Sequence, residues 1–315
     1  MKAVVCTRYG PPEVLRVQQV ATPAPGAREL LIRIHAATVT VSDCYIRSGV
    51  PTAKLWFRAM LRLMMGFRRP RRSIPGALLA GEVVQTGQRV TRFQPGDRVV
   101  AFTLLRMGCY AEFTTLPEKK LVTAAPANLS YEEAAAIPYG GLLAAHFLHK
   151  QDIRPGQQVL IYGASGAIGT AAVQLARHAG AEVTAVCSGG NLDLVRSLGA
   201  DHVLDYTREQ TPGGRRFDLV FDAVGRRLSS ELKVACQTAL TPAGKYASVD
   251  DELWRPKLAD LQRLMQLAEA GVLKPVIDRC YPLEQAAEAH RQVEQRHKKG
   301  NVIITIPGDG ISEGE

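Results

Sequence analysis

The sequence predicts an α/β protein with a β-rich first domain and a second domain built on a doubly wound parallel sheet. Its 315 residues are enough for two domains, each with its own core. In the first part, short alternating apolar runs such as 29–34 and 97–102 are separated by Pro/Gly turns. From residue 157 onward, strand-like and helix-like segments alternate, which is typical of a parallel sheet covered by helices.

A capping box marks the change between these two regions. Ser130 precedes a helical pattern that starts at Tyr131, and Glu133 follows three residues after the serine. The elements predicted after this helix are strands at 158–162, 182–186 and 217–221 and helices at 169–179, 192–198 and 258–270.

The C-terminal part is expected to return to the β-rich domain. A short strand is predicted at 275–278, a helix at 283–295 and a final apolar strand at 301–306. The expected domains are therefore 1–127 together with 272–315, and 128–271.

The positive charge of the chain is concentrated in one segment. Lys plus Arg number 39 and Asp plus Glu number 30, which gives a formal charge of +9. Between residues 54 and 72 there are seven basic residues and no acidic one, and subtracting them from +9 leaves +2. A nucleic-acid-binding protein is therefore not indicated, because the rest of the chain is nearly balanced.

The remaining composition predicts a cytoplasmic protein. The N-terminal residues lead directly into a strand without the apolar region of a signal peptide, and no apolar run reaches the roughly 18 residues of a membrane span. No Cys-x-x-Cys pair occurs, which argues against a disulfide framework or a zinc knuckle. The six cysteines are Cys6, Cys44, Cys109, Cys187, Cys236 and Cys280.

A glycine-rich turn after the strand 158–162 predicts a dinucleotide site. Glycines in such a turn allow phosphates to approach the backbone amides at the start of the next helix. The turn departs from the usual fingerprint, because Ala164 stands where its first glycine would be. The predicted cofactor-binding residues are Gly163, Ala164, Ser165, Gly166, Ala167, Ile168 and Gly169.

The end of the second strand of this domain favours NADP(H) over NAD(H), with NAD(H) left open. An NAD-binding fold usually carries an acidic residue there for the ribose hydroxyls, and none is present between 186 and 191. No basic residue occupies this loop, so Ser188 and Asn191 are the expected hydrogen-bonding groups, with Tyr206 as a stacking group.

Several motifs in the right order resemble the medium-chain dehydrogenase/reductase superfamily, and its zinc-independent quinone oxidoreductases in particular. They lie at 40–49, 75–81, 94–99, 163–169, 197–201 and 221–225. The resemblance covers nearly the whole chain. It implies a GroES-like domain, a Rossmann domain with a cleft between them, and hydride transfer to a quinone, enone or related carbonyl.

The same resemblance implies that no catalytic zinc is bound. Zinc-dependent members carry a cysteine three residues before the aspartate of the first motif, where this chain has Thr40. They carry Gly-His-Glu in the second motif, where this chain has Gly76, Ala77 and Leu78. The four-cysteine structural lobe is missing as well.

The resemblance also supplies the catalytic candidates. Tyr45 matches a tyrosine of the substrate cleft and is the candidate donor to the carbonyl oxygen, the alternative being a packed aromatic residue. Thr40 stands where many relatives have asparagine, and it would donate a weaker bond or none. Val224, Gly225 and Asn301 match positions around the cofactor.

The basic segment 52–72 has three competing interpretations. It combines basic residues with an apolar face, as a lid helix would. Alternatively, its charge attracts NADPH or an acidic substrate, or it contacts a membrane surface.

Two other functions and the oligomeric state are left open. The chain could be an NAD(P)-dependent alcohol or aldehyde dehydrogenase. It could also be a cofactor-binding module without enzymatic activity, acting at a membrane or on a protein partner. A homodimer is compatible with each function.

Overall fold

The computed structural model describes residues 1–49, 63, 66–67, 69–226, 228, 230–252 and 254–307. The chain forms two compact units, Met1–Ala136 with Ile277–Glu315, and Ile137–Val276.

The elements are numbered in chain order. The strands are β1 (Lys2–Cys6), β2 (Leu15–Gln19), β3 (Glu29–Val39), β4 (Leu78–Thr86), β5 (Arg98–Phe102), β6 (Phe113–Pro117), β7 (Val122–Ala124), β8 (Gln158–Tyr162), β9 (Glu182–Cys187), β10 (His202–Asp205), β11 (Phe217–Asp222), β12 (Leu240–Ser248), β13 (Ile277–Pro282) and β14 (Asn301–Thr305). The α-helices are α1 (Val41–Ser48), α2 (Tyr131–His149), α3 (Ala167–His178), α4 (Leu192–Ser197), α5 (Glu231–Thr238), α6 (Leu258–Glu269) and α7 (Ala286–Glu294).

The first unit is built around the long strand β3. Its sheet has the order β13-β14-β3-β4-β5-β7, with β6 also paired to β3, while β1 and β2 form a separate ribbon. Leu30, Ile32 and Ile34 of β3 are fully buried, and their spacing of two places them on one face of the sheet. The C-terminal strand β14 pairs antiparallel with β3, so the end of the chain returns to the β-rich unit.

The second unit is a five-stranded parallel sheet. The strand order is β10-β9-β8-β11-β12, and every pairing in it is parallel. This confirms the predicted α/β class. The strand order reverses direction at β8, and the carboxyl ends of strands at such a point are where ligands bind in open parallel sheets.

The capping box before α2 is confirmed. The amide of Glu133 donates to Oγ of Ser130 at 3.2 Å, and the amide of Ser130 donates to Glu133 Oε2 at 2.9 Å. These bonds satisfy backbone donors that the first turn of a helix leaves free.

Several elements differ from the sequence predictions. Strands β10 and β12 and helix α5 were not predicted, and the helix predicted at 283–295 is α-helical only over Ala286–Glu294. The predicted strand 275–278 starts at Ile277 and runs to Pro282, because Pro275 has no amide proton for a sheet bond. Helix α3 starts at Ala167, two residues earlier than predicted. Helix α1 was not predicted; it lacks a long apolar repeat and depends on a Thr40 cap and on Gly49, whose φ is 74°.

The basic segment 52–72 falls mostly outside the described residues, and so does the helix predicted within it. Within the part of the chain that the structure describes, none of the helices has the length and apolar character needed to span a membrane.

Candidate functional site

The glycine-rich turn joins β8 to α3 at the carboxyl end of the parallel sheet. Gly163 has a φ of 79°, and a Cβ added to it would overlap Cγ2 of Val224. A Cβ on Gly169 would lie 2.6 Å from Cα of Ala164 and would overlap the carbonyl oxygen of Gly163. Gly163 is therefore required by its positive φ and by the Val224 side chain, and Gly169 by the close approach of backbone atoms. Because the positive φ falls on Gly163, alanine is accommodated at position 164, where it is fully buried.

The start of α3 leaves amide donors available. Its N-cap residue is Gly166, which provides no side-chain hydrogen bond. The first amides of a helix have no intrahelical acceptor, and the helix dipole makes this end positive. Gly140 of α2 packs against the same turn, since a Cβ there would overlap the carbonyl oxygen of Ala167. These features fit the pyrophosphate of a dinucleotide.

Three of the predicted polar residues come together beside this turn. Nδ2 of Asn191 donates to Oγ of Ser165 at 3.2 Å and to Oγ of Ser188 at 3.0 Å. Asn191 is buried, so these bonds hold its side chain between the turn and the end of β9. Tyr206 is 41% exposed at the end of β10, and its amide donates to the carbonyl of Cys187 at 3.1 Å.

The structure adds an arginine to this region that sequence reasoning missed. Oδ2 of Asp205 lies 3.8 Å from Nε of Arg208 and would lie 2.6 Å from a Cβ on Gly189. Hydrogen bonds from Thr207 hold the pKa of Asp205 below its ordinary value. The Asp205 carboxylate therefore lies beside both the loop after β9 and the guanidinium of Arg208, whose side chain is 86% exposed. The only sequence signal was that Arg208 follows the neighbouring strand.

The loop after β11 is fixed by a buried ion pair, which the sequence reasoning also missed. Nζ of Lys233 lies 2.7 Å from Oδ2 of Asp222, and their side chains are 4% and 0% exposed. Oδ1 of Asp222 accepts the amides of Val224 and Gly225 at 3.0 and 3.1 Å. The ion pair therefore sets the backbone that places Val224 against Gly163.

Tyr45 lies on α1 in the first unit and is 39% exposed. Nη2 of Arg296 donates to its hydroxyl oxygen at 3.1 Å. Arg296 has a φ of 61°, an uncommon conformation for a residue with a Cβ. Because arginine can only donate, the phenolic proton of Tyr45 is not used in this contact and can be donated to another acceptor.

Thr40 is the N-cap of α1, and its hydroxyl group is used within the cap. Its Oγ1 donates to Oδ2 of Asp43 at 2.6 Å, and its amide donates to the same oxygen at 2.8 Å. Burial raises the pKa of Asp43 to about 6. The hydroxyl proton of Thr40 therefore has an acceptor within the protein, and Asp43 orients the start of the helix.

The positions that carry zinc ligands in zinc-dependent relatives do not fit a metal here. Thr40 is 4% exposed and bonded to Asp43, while Ala77 and Leu78 have no donor atoms in their side chains. Among the described residues, no group of three or more His, Cys, Asp or Glu side chains could hold a metal ion.

Asn301 begins β14 in the first unit. It is 5% exposed, and its Cα pairs with that of Ile277 on β13. Its side chain is therefore mostly covered at the edge where this strand starts.

Two family models match the chain. Residues 26–127 match the alcohol dehydrogenase GroES-like domain, and residues 198–304 match the zinc-binding dehydrogenase domain. The first match lies within the first unit, and the second covers the later part of the second unit and the C-terminal elements from β13 to β14.

Similarity to characterised proteins extends over the whole chain. A chloroplastic quinone-oxidoreductase homolog of Spinacia oleracea is 33% identical over 96% of this chain and 98% of its own. A chloroplastic NADPH-dependent alkenal/one oxidoreductase of Arabidopsis thaliana is 30% identical over 96% of this chain and 79% of its own. The solved quinone oxidoreductase of Coxiella burnetii superposes with a TM-score of 0.80 at 26% identity, covering 98% of this chain and 99% of that chain. The chain therefore belongs to the medium-chain dehydrogenase/reductase superfamily, in its quinone-oxidoreductase-like branch.

Proposed function

We propose that this protein is an NADPH-dependent oxidoreductase that transfers hydride to a quinone, an enone or a related activated carbonyl. The observation that carries the proposal is the glycine-rich turn, which places the start of α3, with a Gly166 N-cap that gives no side-chain hydrogen bond, at the carboxyl end of the parallel sheet. The full-length similarity to a quinone oxidoreductase homolog and to an alkenal/one oxidoreductase supports the acceptor class.

The test is NADPH oxidation with a panel of small quinones and enones. Turnover with several of them supports the proposal, with simple ketones and aldehydes expected to react more slowly. Tight NADPH binding without reduction of any acceptor would instead favour a cofactor-binding module. Preferential oxidation of simple alcohols would favour the alcohol dehydrogenase alternative.

The cofactor would be held by backbone groups at one end and by side chains at the other. The amides at the start of α3 would bind the pyrophosphate. Ser188, Asn191 and Tyr206 would contact the adenosine ribose and adenine, since Asn191 already links Ser188 to the glycine-rich turn. When bound, the reduced nicotinamide supplies the hydride.

Arg208 is the residue that supports NADPH over NADH. Arg196, the nearest basic residue of the following helix, pairs with Asp193 at 2.9 Å. The Arg208 side chain is 86% exposed, and its Nε lies 3.8 Å from the Asp205 oxygen that also lies next to Gly189. An arginine near the end of the second strand is a typical partner of the 2′-phosphate.

The Arg208 assignment is tested by comparing kcat/KM for NADPH and NADH. Arg208→Ala should lower the NADPH/NADH ratio by about tenfold, the equivalent of one exposed charge-assisted hydrogen bond, while NADH turnover stays unchanged. Arg196→Ala is the matched control and should leave the ratio as it is. An unchanged ratio in Arg208→Ala would contradict the assignment.

Tyr45 is proposed as the donor to the substrate oxygen. Arg296 donates to the phenolic oxygen, which polarises the O–H bond and leaves its proton for the substrate. Reduction of a quinone or enone leaves a delocalised phenolate or enolate, which needs less stabilisation than an alkoxide. Thr40 would act by holding α1, because its hydroxyl donates to Asp43.

Tyr45→Phe removes this donor without removing the ring. Turnover should fall by about tenfold to a hundredfold, the range of one hydrogen bond to developing charge, while NADPH affinity stays the same. Tyr281→Phe, on β13, is the control and should retain turnover. Equal turnover in the two variants would refute the donor role.

We also propose that catalysis proceeds without zinc, because Thr40, Ala77 and Leu78 stand at the ligand positions. Full activity after extended dialysis against a chelator would support this, and a loss of activity that zinc restores would refute it.

The cytoplasmic location, the homodimer and the membrane contact through 52–72 stay predictions. For the membrane contact, sedimentation with anionic liposomes of the full chain and of a variant lacking 52–72 is the test.

A further inference from the structure

The first unit contains a small cavity that the proposed reaction does not use. Its volume is about 260 Å³, below the roughly 300–1,000 Å³ of pockets for drug-sized ligands. Three arginines line it, namely Arg47, Arg71 and Arg72, and the remaining lining is mainly apolar, with Ile46, Leu105 and Pro75 among it. None of the described residues that line it is acidic. The cavity is therefore cationic on one side and apolar on the other.

Arg47 is unusual because its charge is buried and only partly compensated. Its side chain is 1% exposed and pairs through Nη2 with Glu294, whose own side chain is 38% exposed. Among the residues that the structure describes, Nε and Nη1 of Arg47 have no hydrogen-bond partner. Buried donors without a partner cost free energy and call for an explanation. A negative charge placed in the adjacent cavity would offset this cost.

The wall of the cavity is also held in a rare backbone conformation. Met107 has φ 56° and ψ −156°, a region otherwise occupied almost only by glycine, and it is 3% exposed. Leu104, three residues before it, has a φ of 53°. Strained residues of this kind are concentrated at ligand-binding sites, where the surrounding structure maintains them.

A second, wider cavity of about 700 Å³ adjoins the first. The two share Cys6, Pro70 and Arg71, and the wider one adds Arg69 and Phe67. Arg69, Arg71 and Phe67 are exposed, so the wider cavity opens to solvent. Positive charge therefore continues from the surface to the small cavity, the arrangement that attracts an anion and guides it inward.

We propose that the small cavity binds an organic carboxylate with a compact apolar body. The guanidinium groups of Arg71 and Arg72 would donate to the carboxylate, for which the planar fork of arginine is suited. Arg47 contributes positive charge beneath them, and Leu105 and Met107 contact the apolar body. The site gives a role to two of the seven basic residues between 54 and 72, namely Arg71 and Arg72. This proposal does not depend on the proposed reductase activity.

The proposal is tested by isothermal titration with benzoate as the probe. Benzyl alcohol has the same apolar body without charge, and acetate has the charge without that body. We expect benzoate to bind with a Kd of about 1 mM or tighter, and benzyl alcohol and acetate to bind at least about tenfold more weakly. Equal binding of benzoate and either comparison compound would overturn the proposal.

Variants locate the site on the chain. Arg71→Gln with Arg72→Gln should weaken benzoate binding by about tenfold or more, because two charged donors are lost. Arg16→Gln with Arg28→Gln removes the same charge at exposed positions elsewhere in this unit and should leave benzoate affinity unchanged. Both arginine pairs are exposed, so both variants should fold, which thermal denaturation checks. Equal benzoate affinity in the two variants would overturn the proposal.

A final titration separates this site from the cofactor site. Benzoate affinity measured with saturating NADPH should equal that measured without it. Competition between them would place benzoate at the cofactor site and overturn the proposal. If NADPH itself fails to bind, the proposed reductase function is contradicted, while benzoate binding still stands as a test of the cavity.

Discussion

Replacing Lys233 with methionine tests how the loop after β11 is held in place. Nζ of Lys233 donates to the carbonyl oxygens of Gly225 and Leu228 at 2.8 and 2.6 Å and lies 2.7 Å from Asp222 Oδ2. All three donors of the ammonium group are thereby used. Methionine keeps most of the aliphatic length but removes the charge and all three contacts, so it isolates their contribution.

The expected loss follows from burial. Removing one partner of a buried ion pair costs about 3–5 kcal/mol, because the other charge stays buried without compensation. Asp222 keeps bonds from the amide of Val224 and from the hydroxyl of Tyr246 at 3.0 and 2.7 Å. The lower end, about 3 kcal/mol, is therefore expected. For a unit of this size that corresponds to a fall in Tm of about 10 °C.

Urea denaturation followed by circular dichroism measures this loss. Arg226→Met is the matched control, because Arg226 pairs with Asp251 in the same region but the side chains are 54% and 30% exposed. Such an exposed pair contributes at most about 1 kcal/mol. Adding Asp222→Asn to Lys233→Met should recover part of the stability, because the unpaired charge is removed. A loss below about 1 kcal/mol in Lys233→Met would refute the reasoning.

Two further predictions concern the glycine-rich turn and a buried histidine. Gly169→Ala should reduce both stability and NADPH affinity, because its Cβ would meet backbone atoms. A Cβ on Gly190 would have no atom of a described residue within 4 Å beyond its own helical turn and chain neighbours, so Gly190→Ala should change the free energy of unfolding by no more than about 0.5 kcal/mol. Burial lowers the pKa of His290 from its ordinary value of 6.5 to about 3. When the pH falls below 6.5, this histidine therefore binds a proton in the unfolded chain but not in the folded chain. The unfolding free energy should therefore fall by about 2 kcal/mol from pH 7.5 to pH 5 in the wild type relative to His290→Leu. Parallel pH profiles of urea denaturation would contradict this expectation.

Local patterns were sufficient to predict most of the second unit. Strand β8 was predicted with the bounds that the structure gives it, and β9 and β11 were each short by one residue. Their apolar runs and flanking glycines are properties of consecutive residues, which a linear reading captures. Helix α1 was missed because its stability comes from the Thr40 cap and from packing, not from a periodic apolar face.

The candidate site was predictable where it depends on backbone geometry. At Gly163 and Gly169 neighbouring atoms leave no space for a Cβ, so the sequence carries glycine at both positions. Arg208 was not predicted, because the basic partner of a 2′-phosphate is expected in the loop after β9, whereas Arg208 follows the neighbouring strand β10. Only the pairing of Asp205 with Cys187 in adjacent strands brings it to that loop.

The sequence by itself determined the alternation of strands and helices in the second unit, the glycine-rich turn and the absence of zinc-ligand side chains at the family's positions. These depend on residue types at fixed spacings along one stretch of chain. The tertiary structure alone decided that Lys233 neutralises Asp222, that Arg296 contacts Tyr45, and that Arg47 lies buried with two donors that have no partner among the described residues. Each of these joins residues whose proximity or burial depends on how separate elements pack, and the side chains carry no local pattern that specifies the partner.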